Sequence, residues 1–209
     1  MNIAILLYER LTALDAVGPY EVLSRLPSAS LMFVAAERGP VVTDNGLLTL
    51  VAEHSIEEVP APDILLVPGG PGEVVVRAGG PVLEWLAAVH ETSTWTTSVC
   101  TGSLILAAAG LLDGRRATSH WLALEQLGEM GARPVSERVV FDGKIVTAAG
   151  VSAGIDMALA LAGRVAGEAV ARAIQLGIEY DPQPPFDAGS PMTAPAEIVA
   201  AARARSRFS

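Results

Sequence analysis

A single cysteine, Cys100, stands in the 209 residues, so no intramolecular disulfide can form and no cysteine-based zinc site can be assembled. Whatever this residue does, it does as a thiol. Basic side chains are scarce as well: 14 Lys and Arg face 23 Asp and Glu, giving a formal net charge of -9, and no run of like charge is long enough to form an interaction tail. That balance argues against duplex nucleic acid as a partner, because neutralising phosphates requires clustered Lys and Arg. The three histidines, His54, His90 and His120, show no metal-ligand spacing. No phosphate loop ending in Gly-Lys-Ser or Gly-Lys-Thr is present, and Gly70-Pro71-Gly72 lacks the third glycine of a dinucleotide fingerprint. Long apolar runs are missing too. Met1 to Tyr8 is too short, and too poor in basic flanks, for a secretion signal. The alanine-rich stretch from Val151 to Ile178 is broken by Asp156, Arg164, Glu168 and Arg172, well short of the ~18 apolar residues of a membrane span. These absences predict a cytoplasmic protein without membrane, nucleic acid or metal.

Hydrophobic residues make up 51% of the chain, enough for one substantial core, and the length fits one domain, residues 1–209, better than two. Short apolar runs suited to doubly buried strands recur at Ile3 to Leu7, Leu31 to Ala35, Ile64 to Val67 and Trp95 to Val99, with helical spacing between them. This alternation predicts an α/β fold: a mostly parallel central sheet with helices on both faces. Leu14 to Leu26 reads as a helix interrupted in its first turn by Gly18-Pro19, and Val82 to Val89 as one opened by Pro81. Arg138 to Phe141 and Lys144 to Thr147 read as a hairpin turning on Asp142-Gly143. The alanine-rich helical region is expected to bend near Gly163 or Gly167. From Asp181, prolines at 182, 184, 185, 191 and 195 prevent a continuous helix until about Ala196, so this segment should wrap over the surface or over a neighbouring subunit.

The run from Trp95 to Gly110 reads as strand, sharp turn and helix with Cys100 at the turn, and Gly102 allows close packing there. A thiol at a helix N-terminus meets unpaired N–H groups and the positive end of the dipole, which predicts a pKa below the ~8.5 of free cysteine and a nucleophile near neutral pH. The alternative is a small buried core residue. Leu66 to Gly72 ends a second strand at the same carboxyl edge, where its amides could form an oxyanion hole or simply a turn. Asp15 sits between apolar residues, either as a helix cap or as a carboxyl of raised pKa that carries protons. Gly150-Val151-Ser152-Ala153-Gly154 matches a serine nucleophile elbow, but that order requires a later histidine and all three precede it. Ser152 is therefore read as a helix N-cap.

Taken together, Gly69-Gly70, the elbow Ser98-Val99-Cys100-Thr101-Gly102-Ser103-Leu104 and Arg116-Ala117-Thr118-Ser119-His120-Trp121 resemble the ThiJ/PfpI superfamily, of class I glutamine amidotransferase-like fold, along nearly the whole chain. Leu14-Asp15 with Gly18-Pro19, threonine directly after the cysteine, and Glu179-Tyr180 with Pro184-Pro185-Phe186 and Ala188-Gly189-Ser190-Pro191 resemble its isocyanide hydratase branch. The resemblance implies a flavodoxin-like sandwich and a homodimer; the proline-rich, partly apolar segment 181–209 is expected to pack at its interface. The resemblance further implies hydration of a small-molecule isocyanide to an N-formamide, with water as second substrate and no cofactor. Carried over, Cys100 is the nucleophile, Asp15 the proton carrier, Thr101 a neighbour offering its amide and hydroxyl, and Gly70 an oxyanion-type donor; His120, Trp121 and Val151 are pocket candidates. Peptidase-like relatives place histidine after the cysteine; Thr101 stands there instead, so a Cys-His pair is not expected. Two alternatives use the same cysteine: a ligand- or oxidation-sensing domain, and a chaperone- or deglycase-like stress protein.

Overall fold

The computed structural model describes residues 1–208; Ser209, the end of the expected domain and of its proline-rich extension, lies outside the described residues. In chain order the elements are β1 (Asn2–Leu6), α1 (Ala13–Leu23), β2 (Ser30–Ala35), β3 (Gly39–Val42), β4 (Thr49–Ala52), β5 (His54–Ser55), β6 (Ile64–Val67), α2 (Glu73–Val76), α3 (Pro81–Thr92) and β7 (Trp95–Val99). There follow α4 (Gly102–Ala108), β8 (Arg116–Ala117), α5 (Leu124–Glu129), β9 (Arg133–Pro134), β10 (Val139–Asp142), β11 (Ile145–Ala148), α6 (Ala153–Ala166), α7 (Glu168–Gly177) and α8 (Ala196–Ala204).

The central sheet runs β10-β11-β7-β6-β1-β2-β5, parallel throughout except for the antiparallel edge strand β10. Strands buried on both faces need apolar residues at every position, and β6, Ile-Leu-Leu-Val, is buried along its whole length. From β1 the chain crosses to β2 on one side, whereas β6 crosses to β7 on the other, so right-handed crossovers put α1 and α3 on opposite faces. Accordingly α1 packs on α6, and α3 on α4. The strand order reverses between β1 and β6, and the carboxyl ends around that reversal are where such sheets form their sites.

Three local expectations are refined. Helix α1 is not interrupted by Pro19 but runs through it, since a proline removes one N–H, the partner of the Asp15 carbonyl, without stopping a helix that tertiary packing supports. The β10–β11 turn is Gly143-Lys144 rather than Asp142-Gly143: Asp142 pairs with Ile145, and Gly143 takes the positive φ of 62°. The Asp142 carboxylate instead accepts the Arg116 N–H at 2.8 Å. The alanine-rich region divides into α6 and α7 at Gly167, where φ is 88°. No helix among the described residues is long and apolar enough to cross a membrane.

Candidate active site

Cys100 follows β7 directly and precedes α4 by one residue, with φ at +57°. A residue bearing Cβ pays about 1–2 kcal/mol to sit there, so its neighbours must fix it. They do so through both peptide groups. The Cys100 N–H is shared between the Ala148 and Ala149 carbonyls, each at 3.1 Å, and its carbonyl accepts the hydroxyls of Ser119 at 3.0 Å and Ser103 at 3.2 Å. Gly102 is required by close approach: a Cβ there would lie 2.1 Å from the Val67 carbonyl oxygen. The strand-turn-helix reading of this segment holds.

Asp15 is not the cap of α1, a position held by Thr12; it lies in the first turn, fully buried. Its Oδ2 accepts the Gly69 N–H at 2.9 Å, while its Oδ1 is buried without a hydrogen-bond partner among the described residues. The next amide of the same loop, Gly70 N–H, donates to Thr101 Oγ1 at 3.0 Å. With its oxygen accepting that bond, the Thr101 hydroxyl keeps a hydrogen of its own to donate, and the residue as a whole favours the Cys100 thiolate. The Gly70 N–H is thus engaged by the residue that follows Cys100. The Gly70 conformation demands glycine: φ is +136°, and a Cβ would meet the Thr12 nitrogen at 2.4 Å.

The electrostatics reverse one expectation. Burial pushes the Asp15 carboxyl up to about 7, despite the Gly69 N–H and the thiol, which favour the carboxylate. Burial first, and the Asp15 charge second, push the Cys100 thiol well above its ordinary range; the amide and hydroxyl of Thr101 only partly oppose this. The dipole of a seven-residue helix is outweighed by desolvation plus a neighbouring carboxylate. The resting pair is thus a neutral thiol beside a carboxyl poised to titrate near neutrality.

Cys100 and Thr101 open into a cavity of about 240 Å³ that His120 and Val151 also line, together with Arg207 and Phe208 from the segment after α8. His120 makes no hydrogen bond to the thiol; its Nδ1 accepts the Leu122 N–H at 3.4 Å, and burial, with the Arg207 charge, lowers its pKa so that the ring is neutral. Trp121 lines a neighbouring cavity of about 490 Å³, which shares His120 and Val151 with the first. Ser152, at the start of α6, does not cap the helix with its side chain, which instead accepts from Arg138 at 3.3 Å. Among the described residues no group of His, Cys, Asp and Glu could hold a metal. Sequence reasoning missed Ser119, although it lies in a motif already singled out, and Tyr8, whose buried hydroxyl donates to the Pro68 carbonyl at 2.8 Å. It also missed Arg207 and Phe208, for which no sequence signal exists.

Comparison with known proteins adds family and relatives to this description. The chain is 43% identical over 205 residues to the isonitrile hydratase of Pseudomonas putida, covering 98% of this chain and 90% of that protein. It is 33% identical over 162 residues to the HTH-type transcriptional regulator CdhR of Pseudomonas aeruginosa, 75% of this chain but only 47% of the regulator. The crystal structure of a THiJ/PfpI family protein from Pseudomonas syringae superposes with a TM-score of 0.94 at 39% identity, over 97% of this chain and 84% of that one. Residues 1–164 match the DJ-1/PfpI family model, and with the elbow cysteine, the glycine loop and the switch-point sheet in the places described, the chain belongs to the DJ-1/PfpI family.

Proposed function

We propose that this protein is an isocyanide hydratase that works through a covalent cysteine adduct. The observation that carries the reading is a fully buried carboxyl, Asp15, bonded to the same glycine loop against which Thr101 of the Cys100 elbow packs, with no histidine bonded to the thiol. The similarity to the Pseudomonas putida hydratase supports the same substrate class.

An isocyanide's terminal carbon accepts a nucleophile and then needs a proton on that same carbon. As sulfur attacks, the thiol proton passes to Asp15, the S–C bond forms, and Asp15 delivers the proton to the developing carbanion, leaving a thioimidate, R–N=CH–S–Cys100. Water then adds to the thioimidate carbon with Asp15 taking its proton. Asp15 passes that proton to the nitrogen, giving R–NH–CH(OH)–S–Cys100; collapse of this adduct breaks the C–S bond while Asp15 carries the hydroxyl proton to the leaving sulfur, and R–NH–CHO departs with the thiol restored. The Thr101 hydroxyl, held by Gly70, steadies the sulfur as it gains and loses charge. A carboxyl of pKa near 7 is suited to both accepting and giving a proton in one turnover.

The test is incubation of the purified, reduced protein with a panel of alkyl and aryl isocyanides, following N-formamide by mass spectrometry. Catalytic release is expected for wild type and none for Cys100→Ala. Stoichiometric thiol modification or binding without turnover by any isocyanide would turn the reading to a sensing domain.

A further inference from the structure

The glycine loop that serves Asp15 and Thr101 is pinned at nearly every peptide group, as buried backbone must be. The Pro68 carbonyl accepts from Tyr8 and the Gly69 N–H goes to Asp15. The Gly69 carbonyl accepts the Thr12 N–H at 2.9 Å, and the Gly70 N–H goes to Thr101. The two remaining carbonyls are held from 136 and 137 residues away, that of Gly70 also accepting the Glu73 N–H at 3.1 Å. Arg207 Nη1 donates to the Pro71 carbonyl at 2.8 Å and Nη2 to the Gly70 carbonyl at 3.2 Å.

The same guanidinium is anchored from below. Glu73, the first residue of α2, is fully buried; its Oε2 lies 2.8 Å from Arg77 Nε and its Oε1 3.2 Å from Arg207 Nη2. A buried carboxylate must be paired, so Glu73 fixes where Arg207 can sit. A planar fork spanning two carbonyls suits arginine and not lysine, which offers a point charge. On its other side Arg207 lies against the Phe208 ring, 4.6 Å from its centroid, and both residues line the Cys100 cavity.

We propose that Arg207 is a positioning residue for the thiol site: by clamping the Gly70 and Pro71 carbonyls it holds the loop whose amides orient Asp15 and Thr101, and with Phe208 it closes one side of the substrate cavity. Its catalytic consequence rests on the hydratase reading, but the positioning itself does not, so two readouts separate them. The first is the rate of Cys100 alkylation by iodoacetamide against pH, which needs no isocyanide. The second is kcat and KM for isocyanide hydration.

Arg207→Met keeps the stem and removes the fork. The Gly70 N–H then holds Thr101 less well, and the Thr101 amide and hydroxyl that favour the thiolate act less on the sulfur, so the alkylation midpoint should move upward by about 0.5 pH unit or more, and kcat should fall roughly 10-fold or more with a smaller change in KM. Arg207→Lys, which keeps the Glu73 pair, should fold as wild type and show an intermediate midpoint and kcat. An alkylation profile and kcat at wild-type values in both variants would overturn the proposal, as would a lowered melting temperature in Arg207→Met with an unmoved profile, since that marks an anchor of stability alone. Should no isocyanide turn over even in wild type, the alkylation profiles still decide the role of Arg207.

Discussion

At the scale of single residues the site is a negotiation between Cys100 and Asp15 over protons in a buried place. Asp15→Asn leaves the thiol but removes the proton carrier, so turnover should fall roughly 10²–10⁴-fold. In wild type, kcat/KM should rise with pH through about 7, where the Asp15 carboxyl titrates, the midpoint belonging to the coupled pair. The same ionisation sets a stability trend. The folded pKa is raised above the ordinary 3.8, so the protonated form is the one the fold favours: the contribution is complete below about pH 4 and is lost as pH rises through about 7. The amide introduced by Asp15→Asn does not titrate. Urea melts at pH 4 to 8.5 should therefore show Asp15→Asn gaining on wild type as pH rises, by up to about 4 kcal/mol, while it loses activity. Parallel melting curves at all pH values would mean that the carboxylate is better solvated than its burial implies. Thr101→Val removes the acceptor of the Gly70 N–H, leaving a buried donor unpaired at about 1–3 kcal/mol, whereas Thr101→Ser restores the bond and should recover most of the rate. The acidity of Cys100 could not be judged from sequence. The helix start is a local feature visible in the chain; the opposing carboxylate comes from 85 residues earlier and its effect depends on burial.

At the scale of elements, what was legible follows from periodicity. The strands of the switch point, β1, β6 and β7, announce themselves because strands buried on both faces leave little choice of residue, and Pro81 opens α3 because its missing N–H costs nothing at a first helical position. β7 is a partial exception, since Thr96, Thr97 and Ser98 are fully buried polar residues. Thr97 is satisfied by the Leu65 carbonyl at 2.9 Å, a partner only the fold supplies. Two-residue strands such as β8 and β9 carry no period at all and were not foreseen. The Asp142-Gly143 turn shifted by one residue because tertiary contacts to Arg116 hold Asp142 in the ladder. The elbow depends on β6 and α4 touching, which yields a direct check. Gly102→Ala would drive a methyl into the Val67 carbonyl, and neither backbone can withdraw without moving Cys100 or the glycine loop. A loss at or above the upper end of the ~1–3 kcal/mol typical of overpacked sites is expected in denaturant melts, with thiol alkylation kinetics altered in whatever remains folded.

At the scale of the whole molecule, residues 181–195 pose a problem that one copy of the chain does not solve. Not one of these residues is buried, and the segment forms no helix or strand, yet it carries Phe186 at 77% and Met192 at 86% exposure. Fixing each backbone position costs about 1–2 kcal/mol, only partly reduced where proline has already restricted the chain, and burial within this copy is confined to the partly covered Ser190, Pro191 and Ala194. The hairpin of β3 and β4 likewise presents Leu47 at 91% and Val51 at 56%. Single exposed apolar side chains are ordinary, but an ordered segment without a buried residue needs a surface to lie against. We expect that surface to be a second copy, so that light scattering of the purified protein gives twice the 21.6 kDa chain mass. Phe186→Glu and Met192→Glu are chosen because both side chains lie far along the chain from Arg207 and from the elbow, leaving the thiol site's own contacts in place. Burying a large apolar side chain contributes about 1.5–3 kcal/mol and a two-fold dimer carries each substitution twice, so each should weaken dimerisation by roughly 10²- to 10⁴-fold, and the double variant should run as a folded monomer at micromolar concentration. A wild-type protein that is monomeric under the same conditions, or a double variant that remains dimeric, would show that this extension is not what joins two chains.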